Sequence, residues 1–180
     1  DIRYTFVDCG ANFGYWSVLA SSQPFGRQTV LAIEASPDNA ARLALNAGLN
    51  GNRYRYMNAA IGGRTGGFVR VAGRRHEAFS TYAAKDDDRG AVRRVSLDGL
   101  LGSDLDAQAP TVIKLDVEGV EIEAIEGAKT LLSGNSLVIC EDHGSDRTHG
   151  VSRHLMNDAA LSLYIFDPAD CRFVRVEGPA

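Results

Sequence analysis

Two distant segments constrain this chain more than anything else in it. One is Val7-Asp8-Cys9-Gly10-Ala11-Asn12-Phe13-Gly14. The other is Ile113-Lys114-Leu115-Asp116-Val117-Glu118-Gly119-Val120-Glu121. Each reads as a buried apolar strand that ends in a carboxylate and turns at once into a helix. Open α/β sheets bind ligands in the crevice outside the carboxyl ends of their parallel strands. Two acid-bearing strand ends therefore put charge where a small molecule would sit.

The rest of the chain alternates in the same way. Tyr4 to Asp8 is expected as strand one and Gly14 to Ser21 as the helix after it. Thr29 to Glu34 is a near-continuous apolar strand closed by an acid. Ser36 then reads as an N-cap, with Pro37 at the first helical position and Asp38 in the first turn. Leu43, Ala44, Ala47 and Leu49 carry that helix to its end near Gly48 to Gly51. Tyr54 to Ile61 is a third strand, with Gly67 to Ala72 added beside it. Residues Gly73 to Gly90 are polar and weakly periodic, which suggests a mobile loop or lid. Arg93 to Leu101 combines a short strand with a turn. Thr111 to Asp116 is the next core strand, and Gly119 to Leu132 its helix, with Ile122, Ile125, Ala128 and Leu132 at helical spacing. Ser136 to Glu141 reads as a buried strand and Val151 to Ala160 as a helix. Leu163 to Asp167 and Arg172 to Val176 form a terminal hairpin around Pro168-Ala169-Asp170. Strands alternating with helices predict a mostly parallel sheet covered on both faces.

With 180 residues, the chain suits one well-cored domain spanning 1–180. Its net charge of −4 argues against nucleic acid as a partner. The adjacent basic pairs Arg74-Arg75 and Arg93-Arg94 read as solvated surface. No run has the roughly 18 apolar residues of a membrane span. Cys9, Cys140 and Cys171 are odd in number and lack C-x-x-C spacing, so neither a disulfide framework nor a zinc site is implied. Cys9 and Cys140 read as small core residues, and a reducing, cytoplasmic setting is the expectation. The chain opens at Asp1, almost on the first strand, so an upstream segment is expected.

Asp8-x-Gly10-x-Asn12-x-Gly14 permits a tight strand-to-helix turn and close approach of backbone to a ligand. It lacks the G-x-G-x-x-G of a dinucleotide site and the G-K-[ST] of a P-loop. An ordinary strand–helix connection is the plain alternative. Glu34 sharpens the reading, because an acid ending strand two can accept hydrogen bonds from a ribose diol.

On these segments, with Leu45-Asn46-x-x-Leu49-Asn50, Ser96-Leu97-Asp98, Glu126-Gly127-Ala128 and Glu141-Asp142-His143, the sequence resembles class I S-adenosylmethionine-dependent methyltransferases. Within them it is most similar to the FkbM-like branch, and the K-x-D-x-E-G-x-E run is the most restrictive part. The resemblance implies a Rossmann-like fold, with a mostly parallel seven-stranded sheet, helices on both faces and a C-terminal antiparallel hairpin. It implies S-adenosylmethionine as cofactor. Asp8, Gly10, Asn12, Phe13 and Gly14 would line its methionine and ribose part. Glu34 would hold the ribose hydroxyls with Ala35 and Ser36 nearby, Asn58 and Ala59 would border the adenine, and Asp116 would face the reacting methyl. The acceptor would be a small molecule or glycan, and the reaction O-methylation of a sugar or natural-product hydroxyl.

Methyl transfer is an in-line displacement in which alignment does much of the work. A hydroxyl acceptor must also lose its proton, and His143 and Asp116 are the candidates for that role. A loop histidine serving only structure is the alternative for His143. His76, His149 and His154 read as surface. Asp116, Glu118, Glu141 and His143 would suit magnesium or manganese, but acids near a helix N-terminus are favoured by the dipole anyway, so no metal is expected. Two other function classes remain open: a non-catalytic domain of the same fold, and a nucleotide-dependent oxidoreductase.

Overall fold

The computed structural model describes residues 2–72, 80–86, 88–117, 119–140 and 149–176. Contacts group the chain into two compact units, 1–140 and 141–180.

In the first unit, the strands β1 (Thr5–Cys9), β2 (Thr29–Glu34), β3 (Arg55–Ile61), β4 (Phe68–Ala72), β5 (Ser80–Ala84), β6 (Ala91–Val95), β7 (Thr111–Leu115) and β8 (Ser136–Cys140) form one sheet. Its order is β5-β4-β6-β3-β2-β1-β7-β8. The six strands from β6 to β8 run parallel, while β4 and β5 are antiparallel additions at one edge. The sheet thus has eight strands among the described residues, not the seven expected. The difference lies in Ser80–Ala84. That segment falls within the loop expected over Gly73 to Gly90, yet it pairs residue for residue with β4, from Phe68↔Ala84 to Ala72↔Ser80. Its five residues are too short to announce a strand without that partner. Nor does β4 lie beside β3, because β6 takes that edge, from Ala59↔Arg93 to Ile61↔Val95, and β4 pairs with β6 instead.

The central strands are buried on both faces, which explains their unbroken apolar runs. On one face Phe6, Val30, Ala32 and partly buried Val112 pack with Ala20, Leu43 and Ala47 of the helices α1 (Tyr15–Ala20) and α2 (Pro37–Leu49). On the other face Val7, Ile33, Ile113 and Leu115 are no more than 1% exposed. Burying one such side chain stabilises by about 1.5–3 kcal/mol. Ser36 caps α2 as expected, its hydroxyl accepting from the Asn39 amide.

The helix expected over Gly119 to Leu132 is two pieces, α3 (Glu121–Glu126) and α4 (Lys129–Leu132). Gly127 breaks it by lying against the Gly62 carbonyl, where a Cβ would come within 2.5 Å. The buried apolar positions are Ala124, Ile125, Ala128 and Leu131, while Ile122 is exposed, so the apolar phase differs from the expected one. Asp98 starts the second piece. Its backbone amide donates to the Gly127 carbonyl, and its carboxylate accepts from the amides of Thr130 and Leu131, both at 2.9 Å. Asp98→Ala should therefore cost about 1–2 kcal/mol of stability, the usual worth of a lost cap. Urea unfolding measures it, and an unchanged midpoint would contradict this role.

β8 is an edge strand. Leu137 and Ile139 are exposed, so it is not the fully buried strand expected. Cys9 is fully buried, and burial pushes its thiol far above the ordinary range, which fits an inert core residue. Cys140 is only partly buried. No helix among the described residues is long and apolar enough to cross a membrane.

The second unit contains α5 (Gly150–Asn157) and an antiparallel hairpin of β9 (Tyr164–Asp167) and β10 (Arg172–Arg175). Phe166 and Phe173 are opposite each other, with rings 5.4 Å apart in an edge-to-face contact. His149 precedes α5 in left-handed backbone, and His154 meets Asp158 at 3.0 Å one turn on.

Candidate cofactor site

The sheet order reverses at β1. The chain runs outward to β2 and β3 on one side, then returns to β7 and β8 on the other. A crevice must open at the carboxyl ends there. An open cleft of about 690 Å³, mouth included, lies at that point. Gly10, Asn12, Glu34, Ala35 and Asp116 supply its polar rim and backbone, while Ile33, Ala59, Ile61, Val71, Val117 and Val120 supply apolar wall.

The glycine turn is pinned from beneath. The amides of Gly10 and Ala11 both donate to the Ile33 carbonyl at 3.0 Å, and the Asp116 amide donates to the Cys9 carbonyl. Glu34 then ties two loops together. Its Oε2 accepts from the Asn12 amide and its Oε1 from the Ser36 amide, both at 2.7 Å. Each carboxylate oxygen keeps a second lone-pair direction for a ligand. Glu34 is 6% exposed, and burial lifts its carboxyl above the ordinary range against the pull of those two amides.

Of the expected cofactor residues, Gly10, Asn12, Glu34, Ala35, Ala59 and Asp116 line this cleft. Asp8, Phe13, Gly14, Ser36 and Asn58 are not in its wall. Asp8 is fully buried beneath α1, where its Oδ2 accepts from the Ser17 hydroxyl at 2.7 Å. Phe13 points out, with the Arg42 guanidinium 5.0 Å from its ring. Gly14 forms the left-handed start of α1. Ser36 is spent on its cap. Asn58 donates to the Glu34 carbonyl at 2.7 Å and the Ala35 carbonyl at 3.2 Å, so it shapes the strand ends from outside.

Asp8 is costly to bury as an anion. Desolvation raises its carboxyl above the ordinary range, opposed by the Ser17 hydroxyl and the Lys114 ammonium. The fold thus holds this proton more tightly than the unfolded chain does. The stabilisation is complete below the ordinary carboxylate pKa and is lost as pH rises through the raised one. Asp8→Asn keeps an acceptor for Ser17 and removes the titration. Its melting temperature relative to wild type should therefore climb as pH rises above the ordinary carboxylate range. A constant difference would contradict the assignment.

Sequence reasoning assigns no role to Lys114, although it opens the K-x-D-x-E-G-x-E run. Its ammonium is 3.1 Å from Asp116 Oδ2, 3.6 Å from Asp8 Oδ1 and 3.5 Å from the Gly10 carbonyl. A lone lysine inside an otherwise apolar strand was the available signal, while its register with Asp8 belongs to the structure. Glu118, Glu141, His143 and His76 lie outside the described residues, as does the Arg74-Arg75 pair. Among the described residues no group of three or more His, Cys, Asp or Glu is arranged to hold a metal.

Residues 8–167 match the description Methyltransferase FkbM domain. The chain is 26% identical over 158 residues to the hexuronic acid methyltransferase AglP of Haloferax volcanii, covering 88% of this chain and 63% of that protein. Its fold is similar to the crystal structure of methyltransferase FkbM from Methylobacillus flagellatus KT, with TM-score 0.65, 17% identity, and coverage of 90% of this chain and 39% of that one. It is similar also to the precorrin-6y C5,15-methyltransferase of Geobacter metallireducens GS-15, with TM-score 0.52, 11% identity, and coverage of 98% and 76%. The chain spans less than two thirds of the length of the first two of these proteins. The match across nearly its whole length shows that this chain belongs to the FkbM methyltransferase family.

Proposed function

We propose that the chain is a methyltransferase that takes its methyl group from S-adenosylmethionine and delivers it to a sugar hydroxyl, with hexuronic acids the first acceptors to test. The observation that carries this reading is Glu34, an acid held by two backbone amides at the wall of the strand-end cleft. A carboxylate so oriented suits a ribose diol. The glycine turn offers close backbone approach beside it, and the apolar wall of Ile33, Ala35, Ala59 and Ile61 suits a flat base. The hexuronic acid methyltransferase relative supports the acceptor class.

When bound, the cofactor supplies an electrophilic methyl. The chain's own residues then hold the reactants in line and exclude water, which is the main requirement of a displacement that disperses charge. Asp116 lies on the cleft wall and is our choice for contact with the acceptor hydroxyl. His143 is our first candidate for accepting its proton, and Asp116 the second.

The non-catalytic alternative draws on one observation, the ion pair of Asp116 with Lys114. The oxidoreductase alternative loses its ground with family membership and with a turn that lacks G-x-G-x-x-G. The purified protein with S-adenosylmethionine should convert a hexuronic acid to a product heavier by one methylene in mass spectrometry. Cofactor binding without transfer to any member of a panel of uronic acids and neutral sugars would favour the non-catalytic domain.

A further inference from the structure

Glu34 and Asp116 line the cleft, and Asp8 lies buried behind it with one cation. Asp8 and Glu34 stand at the ends of β1 and β2, and Asp116 follows β7. Lys114 sits between Asp8 and Asp116 with its side chain only 13% exposed. Its ammonium has three N–H groups and faces three oxygens: Asp116 Oδ2, Asp8 Oδ1 and the Gly10 carbonyl. Asp8 Oδ1 is buried with no hydrogen-bond partner among the described residues, so the nearby cation is what compensates it. Asp116 and Gly10 both line the cleft, so one buried ammonium fastens two parts of its wall.

We propose that Lys114 is a positioning residue that holds Asp116 against the glycine turn and, by its charge, sets how strongly the cleft prefers a cationic ligand to a neutral one. The inference rests on the reading of the cleft as an S-adenosylmethionine site. That donor carries a sulfonium charge that its product, S-adenosylhomocysteine, lacks. The acids attract the sulfonium and Lys114 tempers that attraction. Because the ammonium is nearly buried, solvent screens it poorly.

Calorimetric titration of both ligands into wild type, Lys114→Met, Lys114→Arg and Asp116→Asn tests this. Lys114→Met leaves the Asp116 carboxylate on the cleft wall unopposed, so the preference for S-adenosylmethionine over S-adenosylhomocysteine should rise about three- to tenfold. Asp116→Asn should shift the preference the other way. Lys114→Arg should restore the wild-type ratio. A purely structural role would weaken both ligands alike and leave the ratio unmoved, which would overturn the inference while leaving the cofactor site intact. If Lys114→Met fails to fold, the Asp116→Asn ratio decides alone, and an unchanged ratio there overturns the inference. Failure of wild type to bind either ligand would overturn the cofactor reading and this inference with it.

Discussion

Glu34→Gln should lower affinity for S-adenosylhomocysteine about a hundredfold and lower the melting temperature as well, because the carboxylate anchors two amides in the free protein. Glu34 accepts two backbone amides, from Asn12 and Ser36, each at 2.7 Å. Hydrogen bonds to a charged group contribute about 1.5–3 kcal/mol each. Gln keeps one acceptor oxygen and turns an NH₂ toward the other amide, so donor faces donor. The loop at Asn12 then loses its anchor, and the ribose loses one of its two acceptors. A combined loss of about 3 kcal/mol corresponds to roughly hundredfold in Kd. The start of the glycine turn keeps its own anchor, because the Gly10 and Ala11 amides are held by the Ile33 carbonyl instead. Calorimetric titration measures the affinity, and Glu126→Gln on an exposed helical position is the control. Equal affinity in wild type and Glu34→Gln would show that this carboxylate does not touch the ligand.

Gly10→Ala should be the most damaging single substitution in the turn, destabilising the protein by about 3 kcal/mol or more. Gly10 has φ +76°, which glycine adopts freely and alanine does not. A Cβ there would also fall well inside contact with the Asp116 carbonyl. Backbone is at fault on both sides, so no side chain can swing away to relieve it. Moving apart would break the hydrogen bond that the Asp116 amide donates to the Cys9 carbonyl and loosen Lys114 from the Gly10 carbonyl. Chemical denaturation measures the loss. A variant as stable as wild type would mean that β1 and β7 do not approach each other as described.

The parallel core was legible because burial on both faces writes itself as continuous apolar runs. Thr29 to Glu34 was read with its ends in place, and Ser36, Pro37 and Asp38 announced α2 by cap chemistry that acts over three residues. Glu34 was legible as a strand-end acid for the same local reason, and it lines the cleft. What depends on distant partners was not legible. The position of β4 beside β6 is decided by which edge is open. The break at Gly127 is decided by the Gly62 carbonyl and by Asp98, both far away in sequence. Asp8 has the sequence signature of a ligand-facing acid, but its side chain lies on the α1 face of the sheet with Ser17 and Lys114. The role of Lys114 follows from register, since only the pairing Asp8↔Lys114 brings those two charges together.

The most direct test of the cofactor site is a crystal structure of the protein with S-adenosylhomocysteine. The account predicts the ligand in the strand-end cleft, its ribose hydroxyls on the Glu34 carboxylate and its adenine against Ala35 and Ala59. A ligand bound elsewhere, or an empty cleft at saturating concentration, would contradict it.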